Sequence, residues 1–230
     1  MKKYALTWIA GGIAIGLLMS GGIRAQSPRG QDGRPDLSGV WRATNDRYLG
    51  NLAAGRGQLL FQPWAATLYK QRQASKGKGN PAERCLPRGI PGTMLVRDRP
   101  FRIVQTPGAI IMLFDELLHY RQIFTDGRGF PADFVPTWFG YSVGKWDRDA
   151  LVVETIGFNE ETWLDDGGLP HSGALRVTER FQRRNAKTLD ISFTIEDPKA
   201  YMKSWTAPVQ FEQVSEADFG EHICAVKPAS

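Results

Sequence analysis

Glu179 is the residue most out of place in this sequence. Residues 175–183 alternate like a strand, with Leu175, Val177 and Phe181 in one phase and Arg176, Thr178, Arg180 and Gln182 in the other. Glu179 falls in the apolar phase, where an unpaired carboxylate would be costly. Two readings follow. In a cavity it is a general acid, a base or a ligand anchor; otherwise it is an inward residue near the strand's open end, salt-bridged to an arginine. Arg121 is the natural cation for either reading, since it shares a phase with Ile123, although Leu118, Tyr120 and Phe124 claim the opposite face. His171, in Pro170-His171-Ser172 just upstream, could reach a barrel mouth as proton donor or acceptor, or be a plain turn histidine.

His171 belongs to a long stretch without strand pattern, residues 157–173, which also holds Asn159, Glu160, Glu161, Thr162, Trp163, Asp165 and Asp166. Loops of this length in a compact domain are usually lids or disordered. Trp163, Leu164 and Leu169 favour packing. The acidic set lacks the ordered ligand spacing of a calcium loop, so a solvated loop is expected and no metal. Trp138, Phe139, Tyr141 and Trp146 add aromatic surface that serves a core or a flat ligand. Read as a binding protein, the chain would contact its ligand through Arg121, Tyr120, Trp138, Tyr141, Trp163 and Asn159. There is no Gly-x-Ser-x-Gly elbow, phosphate loop, Cys-x-x-Cys or paired-histidine signature, and no cofactor is expected.

The elements that must position these groups begin after a leader. Lys2 and Lys3, an apolar run from Tyr4 to Met19, and Gly21-Gly22-Ile23-Arg24-Ala25 have the order of a secretory signal, residues 1–25, with cleavage after Ala25. An uncleaved anchor is the rival reading. No cysteine stands near the cut, which excludes a lipid-modified N-terminus. Residues 26–35 read as a flexible leader and 36–230 as one domain in the periplasm or outside the cell. Beyond Ala25, 26 basic residues face 24 acidic ones, which argues against capture of nucleic acid. The basic run Lys70, Arg72, Lys76, Lys78, Arg84 and Arg88 reads as a solvated face. Cys85 and Cys224, an even count in an oxidising compartment, are expected to form a disulfide worth roughly 4–5 kcal/mol in the chain-entropy model, the alternative being two buried thiols.

One helix is expected over residues 63–74, opened by Pro63 and stopped at Lys76-Gly77. Hairpins are expected at 101–115, 141–158 and 175–196, with further strands at 119–125, 203–214 and 219–226. The fold class is therefore mainly β: an antiparallel meander closing into a lipocalin-like barrel with one short helix, or else a β-sandwich.

Several blocks resemble a family of secreted bacterial proteins of no settled function. They are Asp36-Leu37-Ser38-Gly39-Val40-Trp41, Arg84-Cys85-Leu86-Pro87, Pro136-Thr137-Trp138, Ser142-Val143-Gly144-Lys145-Trp146, Glu154-Thr155-Ile156-Gly157-Phe158-Asn159, Thr162-Trp163-Leu164-Asp165, Pro170-His171-Ser172, Thr178-Glu179-Arg180 and Ile195-Glu196-Asp197-Pro198-Lys199-Ala200-Tyr201, with Ile223-Cys224 at the end. The resemblance implies that Asp165, His171, Glu179 and Arg121 form the polar set, and that relatives carry histidine at the positions of Phe130 and Tyr141.

Three functions fit these expectations. The first is a barrel that holds a small, partly apolar or aromatic molecule in its interior. The second is a cofactor-independent lyase, isomerase or hydrolase in which Glu179, His171 or Asp165 does the acid–base work. The third is a structural envelope protein. The partner is a small molecule, with no nucleic acid and no stable membrane insertion once the signal is removed.

Overall fold

The computed structural model describes residues 27–30 and 32–225; residues 1–25, expected as a secretory signal, lie outside the described residues. Nine strands close into one barrel in chain order. They are β1 (Gly39–Ala43), β2 (Phe101–Thr106), β3 (Ala109–Phe114), β4 (Tyr120–Phe124), β5 (Tyr141–Asp147), β6 (Ala150–Ile156), β7 (Arg176–Arg183), β8 (Thr188–Glu196) and β9 (Trp205–Val214). The expected barrel is present, but it is not wholly antiparallel. A closed ring of alternating strands needs an even number, so nine strands require a parallel neighbour pair. That pair is β4–β5, joined only through Ile123 with Ser142 and Phe124 with Val143. A parallel connection must run back along the barrel, and residues 125–140 make that return.

The crossover fits because two glycines allow close approach. A Cβ on Gly157 would meet the Phe134 ring at 2.5 Å, and one on Gly140 would meet the Ile156 carbonyl oxygen at 2.6 Å. Gly140 also has φ +64°, which disfavours a side chain in its own right. Elsewhere the strands alternate cleanly: Leu189, Ile191, Phe193 and Ile195 of β8 are fully buried while their neighbours face out. Trp41, Phe101, Phe181, Phe193 and Phe211 belong to the same apolar cluster, so aromatic side chains occupy the interior expected to hold a ligand.

One barrel end carries short turns. The other is capped by residues 44–100, 157–175 and 197–204. The cap holds α1 (Arg47–Gly50) and α2 (Pro63–Ala74), the latter with the expected bounds and with Pro63 in its first turn. The strand expected at 219–226 is absent from its described part: after a 3-10 turn at Glu216–Asp218 the chain runs as a strap, meeting the β3–β4 turn through an isolated bridge between His222 and Glu116. The Cys85–Cys224 disulfide fastens this strap to the cap. Described residues of the segment 26–35 contact the barrel. Arg29 bridges Pro35 and pairs with Asp149, and the Arg34 guanidinium lies over the Trp146 ring.

Candidate functional site

Arg121 settles its phase by burial: it is 2 % exposed, against 67 % for Tyr120 beside it. Its guanidinium grips Glu179 with two nitrogens, one at 2.9 Å from Oε1 and the other on Oε2. Nε donates to Ser142 Oγ at 3.0 Å and Nη2 to Thr155 Oγ1 at 2.7 Å, while Nη1 also reaches the Met112 sulfur at 3.9 Å. All five guanidinium donors thus have acceptors. Glu179 is fully buried and its two oxygens both receive Arg121. The arrangement is a satisfied ion pair, without which either charge would be strongly unfavourable inside the barrel. Ser142 and Thr155, 3.1 Å apart, were not singled out by the sequence pattern.

This cluster has an architectural role. Arg121 lies on β4, Ser142 on β5, Thr155 on β6 and Glu179 on β7. One guanidinium therefore ties four consecutive strands across the parallel seam, where the ladder itself is shortest.

The seam also carries a crevice of about 330 Å³, lined by Tyr120, Arg121, Phe124, Phe139, Tyr141 and Ser142, with Gln122, Thr137 and Gly140 completing it. Its rings are ordered. Phe124 and Tyr141 stack at 5.2 Å between centroids, and Phe139 lies parallel to the core ring of Phe114 at 5.5 Å. Phe130 meets Tyr141 edge to face at 6.2 Å. Phe130 and Tyr141 are therefore neighbours in space. His119 leans on Phe139 at 5.8 Å, and burial lowers its pKa.

Three of the sequence-predicted ligand residues, Arg121, Tyr120 and Tyr141, thus come together. Trp138 is half-buried between two lining residues, with its carbonyl against Gly89. Asn159 is tied to the crevice through its backbone, which donates to Thr137 O at 2.9 Å.

His171, Asp165 and Trp163 lie in the cap loop. His171 is 5 % exposed; Nε2 sits 2.6 Å from Thr162 Oγ1 and Nδ1 3.1 Å from Ser172 O. Burial lowers its pKa, favouring neutral imidazole. It shares no hydrogen bond with Glu179. The Asp165 carboxylate accepts from Leu52 N at 2.8 Å and Leu169 N at 3.1 Å, stitching the loop to the α1 region. Burial raises its pKa to about 6. The Arg72 guanidinium lies 4.3 Å from the Trp163 ring centroid. Asp197, not singled out by pattern, accepts from Ser172 N and Oγ and from Lys199 N. Among the described residues no group of three or more His, Cys, Asp or Glu side chains is placed to hold a metal ion. Comparison with protein-family models and with curated protein sequences gives no match.

Proposed function

We propose that this protein binds a small, flat, largely uncharged aromatic molecule in the crevice at the β4–β5 seam. The carrying observation is the convergence of stacked rings, Phe124 with Tyr141 and Phe139 with Phe114, around an opening whose floor is the buried Arg121–Ser142 pair. Rings supply a stacking surface, while Tyr120, Gln122, Thr137 and Tyr141 supply polar contacts at the rim. A charged ligand is disfavoured because Arg121 has no donor to spare. The volume suits a ligand at the small end of the usual range. An acid–base enzyme is the weaker reading, since Glu179 is occupied by Arg121 and His171 by Thr162 and Ser172.

We further infer that residues 1–25 export the chain to the periplasm or beyond, as a disulfide between distant cysteines fits an oxidising compartment, and that it belongs with the secreted bacterial proteins it resembles. Cell fractionation with N-terminal sequencing tests the export. For binding, native mass spectrometry of protein from its own compartment is expected to show a bound small molecule that the Tyr141→Ala and Phe124→Ala variants lose. Retention of that molecule by both variants would refute the seam as its site.

A further inference from the structure

We propose that the capped end of the barrel docks on an anionic lipid surface. The observation is an exposed apolar tip set among cations. Leu60, Trp64 and Met202 are 45 %, 42 % and 58 % exposed. They are contiguous: Met202 N donates to Leu60 O at 2.8 Å, Gln62 N to Ala200 O at 2.8 Å, and the Trp64 indole to Lys199 O at 2.6 Å. With its one polar group held by that carbonyl, Trp64 presents hydrocarbon outward.

Exposed Lys199 and Lys203 flank the tip, and Lys70, further along α2, is also exposed. Between Asp46 and Glu83 the chain carries six basic residues and no acidic one. The whole cap, residues 44–100, 157–175 and 197–204, holds twelve basic and eight acidic side chains, while the rest of the chain beyond Ala25 holds 14 and 16. The net positive charge thus lies at the capped end, although its loop 157–175 carries four acids and neither Lys nor Arg. Among the described residues none of Lys70, Lys76, Lys78, Lys199 and Lys203 is ion-paired. The nearest acids in sequence are Glu196, exposed at the end of β8, and Asp197, whose carboxylate turns inward to Ser172.

A polyanion such as nucleic acid would be held by the cations alone. Exposed apolar side chains flanked by lysines instead match a bilayer interface, where rings and thioethers enter the headgroup layer and lysines remain at its surface. Docking there is peripheral, and it is independent of the seam crevice at the barrel wall.

The test is co-sedimentation of the mature chain with phosphatidylcholine vesicles, with and without phosphatidylglycerol. Binding is expected only to the anionic vesicles and is expected to weaken as salt rises. Each lysine near such a surface is worth about fivefold in partitioning, so Lys199→Gln with Lys203→Gln should weaken it about 25-fold. Trp64→Ala and Met202→Ser, checked for an unchanged melting temperature, should each weaken it as well. Equal binding to neutral and anionic vesicles, or none to either, overturns the proposal. So does loss with the lysine variants but not with Trp64→Ala or Met202→Ser, together with equal binding to heparin, which would identify a polyanion site instead.

Discussion

The wall from β6 to β9 and the joint between β4 and β5 belong to one barrel and are built in opposite ways. β7 and β8 stay in register over eight residue pairs, from Arg176 with Glu196 to Arg183 with Leu189, whereas β4 and β5 share two. The wall is held by hairpin ladders and an alternating apolar face. The seam is parallel because an odd ring of strands cannot alternate throughout, and side-chain chemistry takes over where the ladder stops. Arg121 belongs to both regions: it sits on the seam and is fixed by Glu179 of the wall. The crevice arises where topology leaves a ladder short, while the interior expected to hold a ligand is occupied by aromatic side chains.

Removing what holds each region should separate them. The largest effect is expected from the strap, which reinforces the cap end from outside. Its disulfide joins residues 139 apart in sequence, and Cys85→Ser with Cys224→Ser should lower the free energy of unfolding by about 4–5 kcal/mol in urea titrations. Glu179→Ala should cost about 3–5 kcal/mol, because the Arg121 charge remains buried without its partner. Arg121→Met combined with Glu179→Leu should recover most of that loss while leaving amides of β4 and β5 faster to exchange. Recovery with no change at the seam would mean that the pair is simply core, not a clamp.

Asp165 sharpens the comparison with the cap. Its pKa in the folded protein, about 6, lies above the ordinary value of 3.8 because burial disfavours the carboxylate. Folding therefore favours the protonated form: this stabilisation is complete below the ordinary value and is lost as pH rises through about 6. Over that window stability should fall by the order of 2–3 kcal/mol, and Asp165→Asn should flatten the fall. The smallest effect belongs to the seam surface: Tyr141→Ala, at a half-buried ring, should cost about 1–2 kcal/mol while abolishing ligand retention.

Much of this architecture was legible in the sequence. The hairpins, α2 and the inward phase of Glu179 follow from local periodicity, which needs no knowledge of the rest of the chain. The cysteine pairing was legible from the even count and the expected compartment. Arg121 was ambiguous because Tyr120 and Phe124 are apolar residues facing out, there to build the crevice. The parallel seam was hidden because strand parity is a property of the whole ring, and the segment at 219–226 looked like the strand that would have changed it. Its apolar residues do not enter a ladder: Ile223 is exposed, and the Arg102 guanidinium lies over Phe219, 4.9 Å from the ring centroid. His171 and Asp165 were found as residues but not as cap stitches, since their partners Thr162, Leu52 and Leu169 are set by loop packing rather than by spacing.

Hydrogen exchange resolved by residue, on the protein as purified and again after solvent extraction of bound small molecules, tests the central claim most directly. Extraction is predicted to speed exchange at residues 120–124 and 139–143 while β7 and β8 stay unchanged. Unchanged exchange at the seam, or a change confined to residues 157–175, would contradict the seam as the binding site.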